Sequence, residues 1–190
     1  LDEIDAGRIF GLGVCASAGY MAAAVADDAR FQKAALVAPW LHTPEMAEAI
    51  YGGPEAAAAL IAASAEPGAE ARLAVAASAT DETAVMYQAP YYTEPDRGLI
   101  AAYDNKFSIA SWKPWLTYNA LDSADRLAKP LLMVGSSGMA LPAGAEAYEA
   151  RLSGPLRKLW LSDEVSQFDF YDRRDVVHAA ADAVSDFLSE

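Results

Sequence analysis

The residues with the clearest chemical potential lie near the start of the chain, in the run Gly13-Val14-Cys15-Ala16-Ser17-Ala18-Gly19. A thiol or hydroxyl can act as a nucleophile when a sharp turn between a strand and a helix lifts it above the sheet. The residues two before and two after it must be small, because larger side chains would collide with the strand or the helix. Gly13 and Ser17 meet this requirement around Cys15, so the spacing predicts a nucleophile elbow at Cys15.

Three alternatives stay open at this stretch. Ser17 is flanked at the same spacing by Cys15 and Gly19, which would make its hydroxyl the nucleophile. A pair of glycines after a strand also begins dinucleotide-binding loops, although Ala16 stands where that motif has its third glycine. A cysteine between a strand and a helix can also be a small buried hydrophobe. We favour Cys15 as nucleophile because the apolar run 9–14 ends directly before it.

The elements that must position this stretch alternate between strand and helix. The alternation begins with the apolar run before Cys15 and returns in the last third of the chain. Such alternation predicts parallel strands joined through helices, and therefore an α/β fold with a parallel sheet and flanking helices. The expected strands are 9–14, 31–38, 129–136 and 157–161, and the expected helices are 19–29, 142–152 and one after Asp172.

The middle of the chain has no convincing strand pattern and is rich in alanine, which favours helix. Pro44 marks a helix start, and further helices are expected at 54–64, 69–79 and 111–127. This segment lies between two strands of the expected sheet. We therefore divide the chain into a core segment 1–42, a helical insert 43–127 and a second core segment 128–190.

These features resemble one family, the dienelactone-hydrolase-like branch of the α/β-hydrolases, which carries its nucleophilic cysteine in a G-x-C-x-G-G elbow. The resemblance continues through the runs 35–40, 130–136 and 168–172. It covers nearly the whole chain but only the second, C-terminal part of the family's fold. It implies that the insert is a helical cap, and that strands upstream of Ile9 complete the sheet. We therefore expect an upstream polypeptide segment as a partner, with the chain a fragment or one piece of a split protein.

The resemblance also places the other catalytic groups. The amide N–H of Ala16 would donate to the oxyanion of an acyl-transfer intermediate. The family's acid would stand near Gly138, where no acidic residue is present, and its histidine would stand at Gln167. Gln167 cannot exchange a proton near neutral pH, so we expect it to position a substrate or a water. His42, which follows the strand beside the nucleophile strand, is the alternative candidate for a base.

Aromatic side chains are the candidates for substrate contacts. They could form the core that joins the insert to the sheet, or line an apolar pocket above Cys15. The candidates are Trp40, Tyr92, Trp112, Trp115 and Tyr118.

The composition excludes several classes of protein. The chain has 27 acidic against 14 basic residues, a net charge of −13, which argues against nucleic acids and anionic membranes as partners. Its single cysteine fits a reducing compartment, so we expect a cytoplasmic protein. The two histidines and the cysteine lack metal-ligand spacing. We therefore expect neither metal nor cofactor; the sequence leaves the oligomeric state open, a homo-oligomer included.

The sequence thus favours an α/β-hydrolase-like enzyme that acts on a small, largely apolar ester, lactone or related metabolite. Its catalytic triad would be degenerate, since Cys15 is present while the acid and histidine positions are not occupied by such residues. Chemistry that needs no strong base, such as cyclisation or isomerisation, fits this pattern as well as hydrolysis does. The alternative is a non-catalytic binding or scaffolding protein that has kept the fold.

Overall fold

The structure is a computed structural model that describes residues 5–190. The described chain divides into two compact units. The first contains the described residues up to Thr43 together with Asn119–Glu190, and the second is Pro44–Tyr118.

The helices and strands are numbered here along the chain. In order they are β1 (Ile9–Val14), α1 (Ser17–Asp27), β2 (Phe31–Val37), α2 (Pro44–Ile50), α3 (Pro54–Ser64), β3 (Leu73–Val75), β4 (Ala77–Ser78), β5 (Met86–Tyr87), β6 (Lys106–Ser108), α4 (Trp112–Leu116), β7 (Leu131–Ser136), α5 (Pro142–Arg151), β8 (Leu156–Leu161), α6 (Asp169–Asp172) and α7 (Arg174–Ser189).

A four-stranded sheet in the order β1-β2-β7-β8 forms the centre of the first unit. Every neighbouring pair in it is parallel, which confirms the expected parallel sheet. Parallel strands all end at the same edge, so the loops after β1, β2, β7 and β8 gather there. The candidate chemistry lies at this carboxyl edge.

Helices cover both faces of this sheet. On one face, Gly11 lies so close to α1 that an added β carbon would be 2.6 Å from a methyl group of Val25. On the other face, α7 packs its apolar side chains against β2 and β7. That core contains Ala35, Val37, Leu132, Val134, Val176, Ala180, Val184 and Phe187. Burial on both faces explains why the central parts of β2 (34–37) and β7 (131–134) are continuously apolar.

Strands β1 and β8 are less buried because they lie at the two edges of the described sheet. Leu12 and Val14 are 48% and 38% exposed. Both point away from α1, toward the face that α7 covers on the neighbouring strands. Large apolar side chains on an open sheet edge invite another strand to pair there.

The second unit packs helices α2, α3 and α4 around Trp112, which is 5% exposed and lies beside Ala47, Ala57 and Leu116. It also contains two small two-stranded sheets, β3 with β6 and β4 with β5. The expectation of a segment without strands is therefore wrong. The helix expected at 69–79 is a short 3-10 turn followed by β3 and β4.

Tertiary pairing explains these errors. Strand β3 forms an antiparallel ladder with β6, and the side chain of Asn105 bonds both the N–H and the C=O of Ala77. These contacts outweigh the helix propensity of alanine. The helix expected over 111–127 ends instead at Leu116. Asn119 there has an extended backbone, and its side-chain oxygen accepts the N–H of Leu121 to begin a separate 3-10 turn.

The chain leaves and re-enters the first unit at neighbouring points. The amide N–H of Ala120 donates to the carbonyl oxygen of His42 at 2.9 Å. Within the described residues, no helix is both long and apolar enough to cross a membrane.

Candidate active site

Cys15 lies at the turn between β1 and α1, with a backbone φ of +56°. This left-handed conformation is uncommon for a residue with a side chain. Hydrogen bonds hold it from both sides: Cys15 N–H donates to Val37 O at 3.1 Å, and its carbonyl accepts the N–H groups of Ala18 and Trp40, both at 3.0 Å. The strained turn is therefore fixed by β2 and by the start of α1.

The hydroxyl of Ser17 supports the same turn. It accepts the N–H of Val14 at 2.8 Å and donates to the C=O of Val14 at 2.7 Å. Ser17 is the first residue of α1, while Cys15 has the left-handed backbone of an elbow. The left-handed residue of this turn is thus Cys15, and the Ser17 hydroxyl hydrogen-bonds the backbone of the same turn.

The small residues predicted for an elbow are sterically required. A β carbon on Gly13 would lie 2.6 Å from Ala18 Cα and 2.8 Å from Ser17 O. Ala18 and Gly19 are buried where α1 packs on the sheet. Close packing of backbone on backbone is what brings the thiol to the start of the helix.

The surroundings of the thiol fit an acyl-transfer site in part. Cys15 is half-buried, and its side chain makes no hydrogen bond within residues 5–190. The amide N–H of Ala16 is likewise unused by the hydrogen bonds of the described chain, so it can donate to an oxygen that develops charge beside Cys15.

Gln167, at 6% exposure, is engaged with the protein itself. Its Nε2 donates to Ala38 O and to the hydroxyl of Tyr171, both at 2.9 Å, and its Oε1 accepts the N–H of Ala140 at 3.1 Å. We call this arrangement the Gln167 clamp. It joins the loops after β2, β7 and β8.

The clamp also explains a second strained residue. Ala38 has a φ of +43°, a conformation that costs a residue with a β carbon about 1–2 kcal/mol. Its N–H donates to Val134 O at 2.8 Å, while its carbonyl accepts from Gln167. The sequence made Gln167 a candidate site residue, but nothing in it signalled the partners Ala38, Ala140 and Tyr171.

The position where the resemblance expects an acid is closed. A β carbon on Gly138 would lie 2.4 Å from Asp163 O and 2.6 Å from Val165 O. These are backbone atoms that cannot turn aside, so no aspartate fits at 138 in this backbone.

His42 is buried, at 1% exposure, and its Nδ1 accepts the indole N–H of Trp40 at 2.9 Å. Neither residue shares a side-chain hydrogen bond with Cys15. The second histidine, His178, is exposed on α7. No group of three or more histidine, cysteine, aspartate or glutamate side chains in the described chain could hold a metal ion.

The other aromatic candidates belong to the second unit. Trp112 packs at 4.9 Å, between ring centres, from both Tyr51 and Phe107, which makes it part of that unit's core. Tyr92 lies 5.0 Å from the ring of Tyr91. Trp115 lies in α4, and Tyr118 follows that helix; both are half-buried.

Comparison with known proteins gives a fold. A hypothetical protein from Pseudomonas aeruginosa matches with a TM-score of 0.80 at 18% identity, over 100% of this chain and 62% of its own. The α/β hydrolase GrgF from Penicillium sp. sh18 matches with a TM-score of 0.72 at 16% identity, over 98% and 66% of the two chains. A monoacylglycerol lipase from Paleococcus ferrophilus has a TM-score of 0.61 at 12% identity, over 96% and 68%.

The chain has an α/β-hydrolase fold. It spans about two thirds of the length of the solved structures that it matches. No protein-family profile matches its sequence, and no curated protein matches it either. The similarity therefore lies in the fold, and any activity has to be argued from the site.

Proposed function

We propose that the protein is an α/β-hydrolase-like enzyme in which Cys15 attacks a small, largely apolar ester, lactone or related metabolite. The observation that carries this proposal is the elbow: a cysteine with φ +56° between β1 and α1, beside the unused N–H of Ala16. Left-handed backbone strain of this kind is maintained at functional sites. Solved structures of similar fold include a lipase, which supports acyl chemistry.

The proposed step is an acyl transfer. The sulfur of Cys15, as thiolate, forms a bond to the carbonyl carbon while the Ala16 N–H donates to the carbonyl oxygen. Collapse of this intermediate breaks the bond to the leaving oxygen, which takes up a proton. Water then releases the acid, or an internal nucleophile of the acyl group closes a ring, and the thiol is regenerated.

The aromatic candidates differ in what supports them. The backbone N–H of Trp40 donates a hydrogen bond to Cys15 O. Trp40 is therefore the first candidate for a substrate contact at the elbow. Tyr92, Trp115 and Tyr118 stay in the proposal as apolar contacts. Trp112 fits a structural role, since it is buried in the core of its own unit.

Acetylation by p-nitrophenyl acetate tests the proposal. We expect one acetyl group on the protein by intact-mass measurement, located on Cys15 by peptide mapping, and none on the Cys15→Ala variant. Ser17→Ala should remain acetylated at Cys15. An unmodified protein, or equal release of nitrophenol by the Cys15→Ala variant, would contradict it.

The second candidate is a non-catalytic binding protein of this fold. It is favoured by the Gln167 clamp, in which the side chain at the family's base position bonds to protein groups. Thiol reactivity separates the two candidates. Rapid alkylation of Cys15 by iodoacetamide near neutral pH supports the enzyme, and an inert thiol supports the binding protein.

A further strand is also part of the proposal. The outer edge of β1, with Leu12 and Val14 exposed, fits a strand supplied by additional polypeptide. The N–H of Cys15 donates to Val37 O in β2. In a strand, the N–H and C=O groups of every second residue face the same side, so those of Gly13 and Gly11 also face β2. The groups of Phe10 and Leu12 then face outward, and those of Val14 are taken by Ser17. An added strand would therefore pair through Phe10 and Leu12.

A further inference from the structure

One hydrogen bond near the elbow fixes the protonation state of a buried histidine. The indole Nε1 of Trp40 lies 2.9 Å from Nδ1 of His42. An indole nitrogen can only donate, so Nδ1 of His42 must offer its lone pair. A neutral imidazole has one protonated nitrogen and one lone pair, and the proton of His42 is therefore on Nε2.

Burial reinforces this state. His42 is 1% exposed, and a charged imidazolium would have to give up the indole contact and lose hydration as well. A general base needs an available lone pair. In His42 the lone pair of Nδ1 is occupied by Trp40, and Nε2 already carries its proton.

The same tryptophan is tied to the nucleophile. Its backbone N–H donates to Cys15 O at 3.0 Å, while its side chain bonds His42 two residues along. The carbonyl of His42 is fixed in turn by Ala120 N–H. Trp40 thus connects the main chain of the elbow to the ring of the histidine.

We infer that Trp40 is a positioning residue, which holds His42 as the neutral Nε2–H tautomer beside the elbow and so excludes it as the base for Cys15. The inference deepens the proposed function and rests on it, because only a nucleophilic Cys15 needs a base. It revises the role considered for His42 from sequence, from proton acceptor to neutral partner of Trp40.

Nuclear magnetic resonance of the complete protein, labelled with ¹⁵N in histidine and tryptophan, tests the tautomer at pH 8. We expect His42 to show a protonated Nε2 and an unprotonated Nδ1, with coupling across the hydrogen bond from Trp40 Nε1. His178 is exposed and serves as the internal control, with averaged signals of two tautomers. His178→Asn and His42→Asn assign the signals. A proton on Nδ1 of His42, or averaging like that of His178, would overturn the inference.

Trp40→Phe tests the role of the tryptophan itself, since it keeps an aromatic ring and removes the donor. We expect the Nδ1 signal of His42 to shift toward the averaged position of His178. A tautomer that stays fixed in this variant would show that Trp40 is not what holds it. If the variant does not fold, the coupling in the unaltered protein decides the matter.

The kinetic consequence is tested with His42→Asn, which keeps an oxygen acceptor for Trp40 and removes the ionisable ring. We expect the rate of Cys15 acetylation to fall by less than about 10-fold, whereas loss of a general base costs about 10²–10⁴-fold. A loss of that larger size would overturn the inference. If unaltered protein is not acetylated, the proposed function fails, while the tautomer is still decided by the spectra.

Discussion

At the scale of single residues, the site is defined by two strained backbones and the bonds that maintain them. Cys15 and Ala38 both have positive φ angles, at the ends of adjacent strands. Each such residue costs about 1–3 kcal/mol, and it persists only where the surroundings impose it. Cys15 is held by Val37, Ala18 and Trp40, and Ala38 by Val134 and Gln167.

Because the backbone at Cys15 is strained, glycine should be more stabilising than alanine at this position, the opposite of its usual effect. Glycine adopts φ near +56° without cost, so we expect Cys15→Gly to be more stable than Cys15→Ala by about 1 kcal/mol. At position 16, where φ is −59°, alanine should be the more stabilising residue, and Ala16→Gly should lower the free energy of unfolding by about 0.5–1 kcal/mol. Urea unfolding of the three variants measures both. An alanine at 15 as stable as glycine would mean that the turn is unstrained.

The Gln167 clamp predicts that histidine is a poor replacement there. A neutral imidazole has one donor and one acceptor, while the amide serves Ala38, Ala140 and Tyr171. We expect Gln167→His to lower the free energy of unfolding by about 1–3 kcal/mol, the cost of a buried polar group left unpaired. Gln32→His, at an exposed position, should change the free energy of unfolding by no more than about 0.5 kcal/mol.

Activity supplies the second measurement on these variants. The resemblance alone suggests that Gln167→His restores a base, but the clamp predicts no gain in acetylation of Cys15. Adding an aspartate at Gly138 should not help, because Asp163 O and Val165 O occupy its space. A faster and equally stable Gln167→His variant would show that the clamp is dispensable.

At the scale of elements, the turn from α1 to β2 depends on charge. Arg30 donates to the carboxylate of Asp28 through its backbone N–H at 2.9 Å and through its guanidinium. The side-chain hydrogen bonds from Arg30 are the main cause that lowers the pKa of Asp28 to about 2. Lys129 completes the turn by donating to Val25 O and Asp28 O at the end of the helix.

This shift predicts a pH dependence with a definite sign. The pKa of Asp28 in the folded protein, about 2, lies below its unfolded value of about 3.9. Ionised Asp28 therefore stabilises the fold in full above a pH of about 3.9, and this stabilisation is lost as the pH falls through about 2. The stability difference between the unaltered protein and Asp28→Asn should therefore shrink as pH falls from about 5 to 2. Urea unfolding at several pH values measures it, with Asp182→Asn, at an exposed position of α7, as the control. A difference independent of pH would contradict the assignment.

The sequence predicts the elements of the first unit well because its signals there are local. An apolar run ending at a small-residue turn predicted β1, and the parallel sheet followed from alternation. Pairing of β3 with β6, and the break at Asn119, depend on contacts between distant residues. The same holds for the candidate site. The spacing of small residues predicted a sharp turn at Cys15, which the structure contains. The partners of Gln167 lie in loops far apart in the chain, and the bond from Trp40 to His42 depends on side-chain conformations, so neither could be read from local sequence.

At the scale of the whole molecule, the open edge of β1 makes a prediction about hydrogen exchange. If additional polypeptide pairs there, the amides of Phe10 and Leu12 should exchange slowly when it is present, and those of Gly11 and Gly13, which face β2, should exchange slowly with or without it. In residues 1–190 alone, Phe10 and Leu12 should exchange much faster, because their groups face outward. Mass spectrometry with fragmentation to single residues makes the comparison.

Leu12→Pro provides the matched variant for that edge. It removes an outward N–H, fixes φ and replaces the Leu12 side chain. If additional polypeptide pairs with β1, the loss of stability should be larger when that polypeptide is present than in residues 1–190 alone. Gly11→Pro removes a group that faces β2 and adds a β carbon 2.6 Å from Val25, so it should destabilise the protein in both forms. Equal exchange of Leu12 in the two forms would mean that nothing pairs with β1.

The hydrogen bond between Ala120 N–H and His42 O has a consequence for how the chain could be rearranged. It joins the residues that flank the 44–118 segment, so the two parts of the first unit lie next to each other where that segment is inserted. A short turn could bridge that base, and a different sequence could equally begin and end there. The insertion therefore begins a few residues along the chain from Trp40, whose backbone N–H donates to Cys15 O.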